Sequence, residues 1–223
     1  MSREVSASAR RITDALLEGY GRTYAAEAGV RLRDTPQPLY QLLVLSELLS
    51  ARIRASVAVA AARALFAHGM RTPRRMADAT WQQRVDALGE GGYRRYDERT
   101  STQLGEGAEL VLDVWKGDLR RLRAEADGDG EALRAGLRRV PGIGPAGADI
   151  FVREVQDLWP EFGPWFGAKG VRGAERLGLP ASAGRLAEAA RGRDGAAFAA
   201  ALVRAALDPE IAGTVRETAR ARK

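Results

Sequence analysis

The sequence predicts an all-α fold. Apolar residues recur at helical spacing through nearly every segment of the 223-residue chain. Helix-capping residues stand where those periodic segments begin and end. Runs of the alternating, β-branched kind that strands need are scarce. With 45% hydrophobic residues, the chain can bury a sizeable core in one domain or two small lobes.

Residues 6–28 place Ile12, Leu16, Leu17, Tyr20 and Tyr24 close to i, i+4 spacing, which predicts one amphipathic helix. Residues 30–38 contain Pro36 and Pro38 and read as a linker. Residues 39–50 are apolar around most of the circumference (Leu42, Leu43, Val44, Leu45, Leu48, Leu49), as a central buried helix would be. An Ala- and Val-rich helix over 53–66 follows, with His68 in its last turn and Gly69 as a stop. Thr72-Pro73 and Thr80 supply N-caps for two short helices, the second over 81–88. Residues 89–92 form a flexible break. The next helix runs to Trp115, with Leu104, Ala108, Val111, Leu112 and Trp115 on one face; Trp81 and Trp115 both read as core. Asp118 caps a further turn or two to Ala126. Asp127-Gly-Asp-Gly130 lacks the later ligands of a calcium loop and reads as a turn. Residues 131–139 and 145–158 are helices on either side of a tight turn, and Trp159-Pro160 ends the second. Residues 161–170 are the least regular. Helices are predicted over 171–177, 183–190 and 195–207, and the basic end, 216–223, as a frayed tail.

Composition narrows the chemistry. Cys is absent and His68 is the only histidine, which excludes disulfides, thiol catalysis, Cys-ligated zinc or iron–sulfur centres and His-rich metal sites. No metal or other cofactor is called for. The formal charge is +6, and only Lys116, Lys169 and Lys223 among the 35 basic residues are not Arg. Arg forms fork-shaped pairs with phosphate, so the charge fits a polyanionic partner, while a solvated basic surface is the plainer alternative. The first residues carry no apolar signal core, and no apolar run reaches membrane-spanning length. Cytoplasmic residence, at the nucleoid in a bacterium, and a monomeric state without membrane contact are the expectations.

One block stands out: Leu137-Arg-Arg-Val-Pro-Gly-Ile-Gly-Pro-Ala-Gly-Ala-Asp-Ile150. It reads as helix, Pro-Gly-Ile-Gly turn, helix. The turn is expected to need glycine twice, at Gly142 and Gly144, for backbone angles closed to other residues and for close approach of a ligand. The amides of Gly142, Ile143 and Gly144 would then point outward at a helix N-terminus that Pro145 starts, a seat for a phosphate oxygen. Arg138 and Arg139 lie directly before it. Two further blocks suit nucleic acid. Ser50-Ala-Arg-Ile-Arg-Ala-Ser56 puts Arg52 and Arg54 directly beyond the most apolar helix. Gly91-Gly-Tyr-Arg-Arg-Tyr-Asp-Glu-Arg99 interleaves Tyr93, Arg94, Arg95 and Tyr96, so that rings could stack on bases while guanidinium groups hold phosphates. An ordinary helix linker and a charged loop anchored by one buried Tyr are the structural alternatives.

The turn, placed downstream of Leu39-Tyr-Gln-Leu-Leu-Val-Leu-Ser-Glu-Leu-Leu-Ser-Ala51, resembles the endonuclease III-like superfamily of helix-hairpin-helix DNA glycosylases. The resemblance implies a six-helix barrel holding the hairpin, over 38–158, and a second lobe from 1–37 with 159–223. It implies duplex DNA, damaged or distorted, as partner, with a flipped base in a cleft. Arg52 falls where the family fills the gap left by the flipped nucleotide, and residues 93–99 where it has a second duplex-probing loop. Trp165 and Phe166 fall in its pocket-lining loop.

Two positions depart from the pattern. Where the lyase members carry Lys the chain has Ala146, and where the family carries its catalytic Asp it has Phe166. Glu161 is the nearest replacement carboxylate in the loop, with Asp157 and Asp149 as others. Two readings follow: a glycosylase-type DNA-repair enzyme with a displaced carboxylate, or a relative that binds damaged duplex without cleaving it. A helical scaffold for protein partners would require the basic surface to be incidental.

Overall fold

The computed structural model describes residues 7–221, and among these every regular element is helical. The chain divides into two compact units, residues 24–152 and residues 1–23 with 153–223.

In the unit 24–152 the helices are α2 (Tyr24–Glu27), α3 (Pro36–Ser50), α4 (Ala55–Ala67), α5 (Pro73–Asp78), α6 (Trp81–Glu90), α7 (Asp97–Trp115), α8 (Arg120–Ala126), α9 (Gly130–Leu137) and most of α10 (Pro145–Val155). The centre is α3, buried from Leu39 to Leu48 on every side, as its apolar circumference requires. Its first turn contains Pro36 and Pro38, so the expected linker is shortened. Proline tolerates the first turn, where its missing N–H would have no helical partner anyway. Arg63 on α4 donates to the Glu27 carbonyl, which ties α2 to this unit, although the sequence boundaries placed residues 24–37 in the other lobe.

Small residues set how closely these helices approach. A Cβ on Gly91, at the end of α6, would lie 2.3 Å from the Ala61 backbone of α4. A Cβ on Gly136 of α9 would meet Leu122 of α8 at 2.2 Å, and one on Gly107 of α7 would meet Val140 at 3.0 Å. Thr80 forms a full capping box with Gln83, and Asp129 accepts from the amides of Glu131 and Ala132. Residues 127–130 are thus a turn that caps α9. Buried Arg84 donates to the carbonyls of Ser101 (2.8 Å), Met76 (3.0 Å) and Ala79 (2.6 Å), fastening α5, α6 and α7. Trp115 is buried as expected. Trp81 is not; it is 41% exposed with its indole N–H on Thr102, because it opens α6 on the solvent side.

The unit formed by 1–23 and 153–223 contains α1 (Ala7–Tyr20), a 3-10 turn (Pro160–Phe162), α11 (Gly167–Leu177), α12 (Ala183–Ala190), α13 (Gly195–Leu207) and α14 (Pro209–Ala221). The single helix expected over 6–28 stops at Tyr20, and Gly21 closes it by donating to the Leu17 carbonyl at 2.8 Å. Ser6 lies outside the described residues. Helix α13 is the hub: Phe198, Ala199, Ala201, Leu202 and Ala205 pack with Leu16, Ala174, Leu186 and Val215. Asp157 accepts from the amides of Gly195 (3.2 Å) and Ala196 (2.8 Å), and Asp194 from Ala197 (2.7 Å), so both carboxylates cap α13. The expected frayed tail is instead the last two turns of α14, anchored by Val215 and Ala219; residues 222–223 lie outside the description.

Candidate nucleic-acid interface

The segment between α9 and α10 builds the site. Helix α9 ends at Leu137, and buried Leu137 and Val140 carry the chain over α7 into the turn. Gly142 sits at φ +86°, a left-handed conformation that glycine takes without strain. Ile143 donates its N–H to the Val140 carbonyl at 3.0 Å and buries its side chain, and Gly144 accepts from Ala148 to open α10.

Two expectations are corrected here. The Ile143 amide is consumed by the turn, so it cannot face a ligand; Gly142 and Gly144 keep N–H groups without an acceptor among the described residues. Nor is glycine required twice for conformation. Only Gly142 is left-handed, whereas a Cβ on exposed Gly144 would meet nothing within 4 Å. Gly144 leaves room for something that arrives from outside.

What stands around that room is basic. A concavity of about 470 Å³ is lined by the turn together with Ser50 from the end of α3, Arg99 and Gln103 from α7, and Arg138 and Arg139. No acidic residue is among its lining. The Arg139 guanidinium lies over the Trp115 ring, 5.4 Å from its centroid, which fixes the direction of its charge. Arg138 is shared with Glu131 at 3.0 Å, a half-exposed pair. The fold therefore brings together the hairpin residues Gly142, Ile143, Gly144, Arg138 and Arg139.

The other expected residues fall elsewhere. Arg52 and Arg54 are exposed on the bend between α3 and α4, outside the lining of the concavity. Tyr93 is buried to 1% exposure, where it cannot stack on a base; burial also raises its phenol pKa, with Thr100 acting the other way. The loop is thus anchored by a core tyrosine. Arg94 and Arg95 are exposed and Tyr96 is half-buried, with Arg95 over the Tyr96 ring at 5.3 Å. From this segment the concavity takes Arg99, and Gln103 one turn further along α7. Helical spacing from Arg99 could have pointed to Gln103, since i and i+4 share a face.

In the other unit, the pocket-lining expectation falls on Phe166. It is buried in the core with its ring edge-on to Phe198, centroids 5.9 Å apart, because the start of α11 turns it inward. Half-buried Trp165 is held by its backbone, which donates to Gln156 at 2.8 Å and accepts from it at 3.0 Å. Glu161 is exposed in the 3-10 turn, and Asp157 is occupied in capping α13. His68 is exposed and pairs with Glu90 at 2.9 Å.

Sequence reasoning missed Glu47, which lies beneath the hairpin. This carboxyl is buried, its Oε1 has no hydrogen-bond partner among the described residues, and a Cβ on Gly142 would lie 2.3 Å from that oxygen. Burial pushes its pKa well above the ordinary 4.5. Its stability contribution is whole at pH below the unfolded value and declines as pH rises through the folded one, by about 1.4 kcal/mol per pH unit between them. Glu47→Gln has no proton to lose. Its stability relative to wild type is expected to climb steadily above pH 5 in denaturant titrations; a difference that stays flat to pH 8 contradicts this.

Among the described residues no group of three or more His, Cys, Asp or Glu is placed to hold a metal ion, and no helix is long and apolar enough to cross a membrane. No protein-family model, no curated protein and no solved structure matches this chain.

Proposed function

We propose that the unit 24–152 grips duplex DNA by its phosphate backbone through the 138–146 hairpin, as an endonuclease III-like, helix-hairpin-helix repair protein would. In this reading the unit is the barrel of such a protein and the other unit its second lobe. The observation that carries the proposal is the open space over Gly144, flanked by Arg99, Arg138 and Arg139 at the N-terminus of α10. An approaching phosphate meets free backbone N–H groups, the positive end of a helix and guanidinium groups. The partner is duplex carrying damaged bases or sites, and the protein acts on it as a glycosylase or endonuclease of base excision repair.

A second reading, a relative that recognises damaged duplex and breaks no bond, is favoured by one observation. Cleavage of a glycosidic bond needs an anion to stabilise the developing positive charge on the sugar. The position that should carry it is Phe166, packed into a hydrophobic core. A panel of duplexes with alkylated, oxidised, deaminated and abasic sites separates the readings, with base release and strand nicking scored apart. Release lost in Glu161→Gln supports the enzyme with a displaced carboxylate. Tight lesion binding with no product on any duplex supports the second reading.

The two glycines of the turn test the grip itself. Gly142→Ala meets Glu47 and a left-handed backbone, and is expected to lower stability by about 1–3 kcal/mol. Gly144→Ala is expected to melt within ~0.5 kcal/mol of wild type yet bind duplex about tenfold more weakly, since its methyl occupies the approach of the phosphate. Thermal melts and titration of a fluorescent duplex measure both. Wild-type affinity in Gly144→Ala would show that the hairpin is not the contact.

A further inference from the structure

The unit 24–152 carries a second pocket, about 380 Å³, walled by the α2–α3 connection, the first turns of α3 and the end of α4. That volume lies within the ~300–1,000 Å³ typical of small-molecule sites. Arg31, Arg63 and Arg71 line it and no acidic residue does. Arg63 donates to the Glu27 carbonyl and Arg71 Nε to the Phe66 carbonyl at 2.7 Å, which aims both side chains while leaving each with further N–H donors. Arg31 makes no hydrogen bond or ion pair among the described residues. Three arginines therefore line one concavity with no acidic residue among its walls.

An independent observation points to an organic ligand. Gln41, one turn into α3, lines the same pocket although it is only 8% exposed, and its carboxamide has no partner among the described residues. Reached through the pocket, this amide offers two donors and an acceptor to whatever enters. Its donor and acceptor side by side match the edge of a nucleobase. Phe66, with Ala28 and Ala67, supplies an apolar wall.

We infer that this pocket binds a nucleoside monophosphate group, the phosphate held by Arg31, Arg63 and Arg71 and the base edge met by Gln41. The phosphate belongs either to a free nucleotide or to the phosphorylated end of a strand. None of Arg99, Arg138, Arg139 and Gly144 lines the pocket, so the site stands apart from the hairpin and does not depend on it.

Calorimetric titration of the full chain with each of the four deoxynucleoside monophosphates tests the site, with the parent nucleosides and inorganic phosphate alongside. Saturable one-to-one binding of at least one monophosphate is expected, with its nucleoside at least ~10-fold weaker. Arg31→Glu reverses an exposed charge that holds nothing in the fold; it should keep the melting temperature and lose at least ~10-fold in affinity, as should Arg71→Ala. A duplex with and without a 5′-phosphate identifies the source. An affinity gain from the phosphate that vanishes in Arg31→Glu assigns a strand end, and nucleotide binding without that gain assigns the free nucleotide. Absence of saturable binding for every nucleotide and strand end overturns the inference, as does affinity unchanged in Arg31→Glu.

Discussion

Replacing Arg99, Arg138 and Arg139 together by alanine is expected to weaken duplex binding about 100-fold at low salt, from roughly 1 kcal/mol for each lost phosphate contact. The fold should survive, because all three side chains are exposed. The salt dependence is the sharper measurement. Each guanidinium that neutralises a phosphate releases condensed counterions, so the slope of log K against log salt should flatten by about 0.9 per contact removed. The single variants should rank unequally. Arg139 is already aimed by the Trp115 ring and has no carboxylate partner among the described residues, so its removal takes away a pre-set charge. Arg138 must first be drawn from Glu131, which offsets part of its gain. Arg139→Ala should therefore cost more than Arg138→Ala. A triple variant with the wild-type slope would remove the hairpin from the binding surface.

The largest expected effect on stability lies in the other unit. Helices α11 and α13 cross at backbone contact, and a Cβ on Gly173 would stand 1.9 Å from the Leu202 carbonyl oxygen. Neither atom belongs to a flexible side chain, so the helices would have to part. Alanine in a helix is ordinarily worth about 1 kcal/mol over glycine. Here overpacking against a fixed backbone outweighs it, and Gly173→Ala is expected to lose about 3 kcal/mol or more. Gly213→Ala, in α14 with nothing within 4 Å of its added methyl, is the control and should gain a little stability. Thermal melts of both variants decide the matter; a Gly173→Ala protein as stable as wild type would mean that α11 and α13 do not meet so closely.

The helices themselves were legible wherever capping and periodicity agreed. Thr72 and Thr80 as N-caps and the apolar circumference of α3 each announce their structure locally. Errors arose where one local signal has two meanings. Proline marks linkers and also first turns, and Pro36 and Pro38 are the latter. Basic residues mark frayed tails and also the outer faces of helices, and α14 is the second case. The hairpin residues could be named because turn chemistry is local. Tyr93 and Phe166 could not be placed, because aromatic residues serve cores and binding surfaces alike and only tertiary packing separates them. Glu47 carried no local signal at all. Within the Leu- and Ser-rich end of α3 it looks like a surface carboxylate, and its burial beneath Gly142 depends on residues almost a hundred positions away.

The two glycines of the turn answer to different judges. In a random library sorted only for heat resistance, Gly142 should persist, since its neighbours and its φ of +86° reject other residues, while position 144 should drift freely. Sorted for retention on duplex, the same library should keep both. The difference between the two survivor sets would mark, residue by residue, where the architecture ends and the recognition of a partner begins.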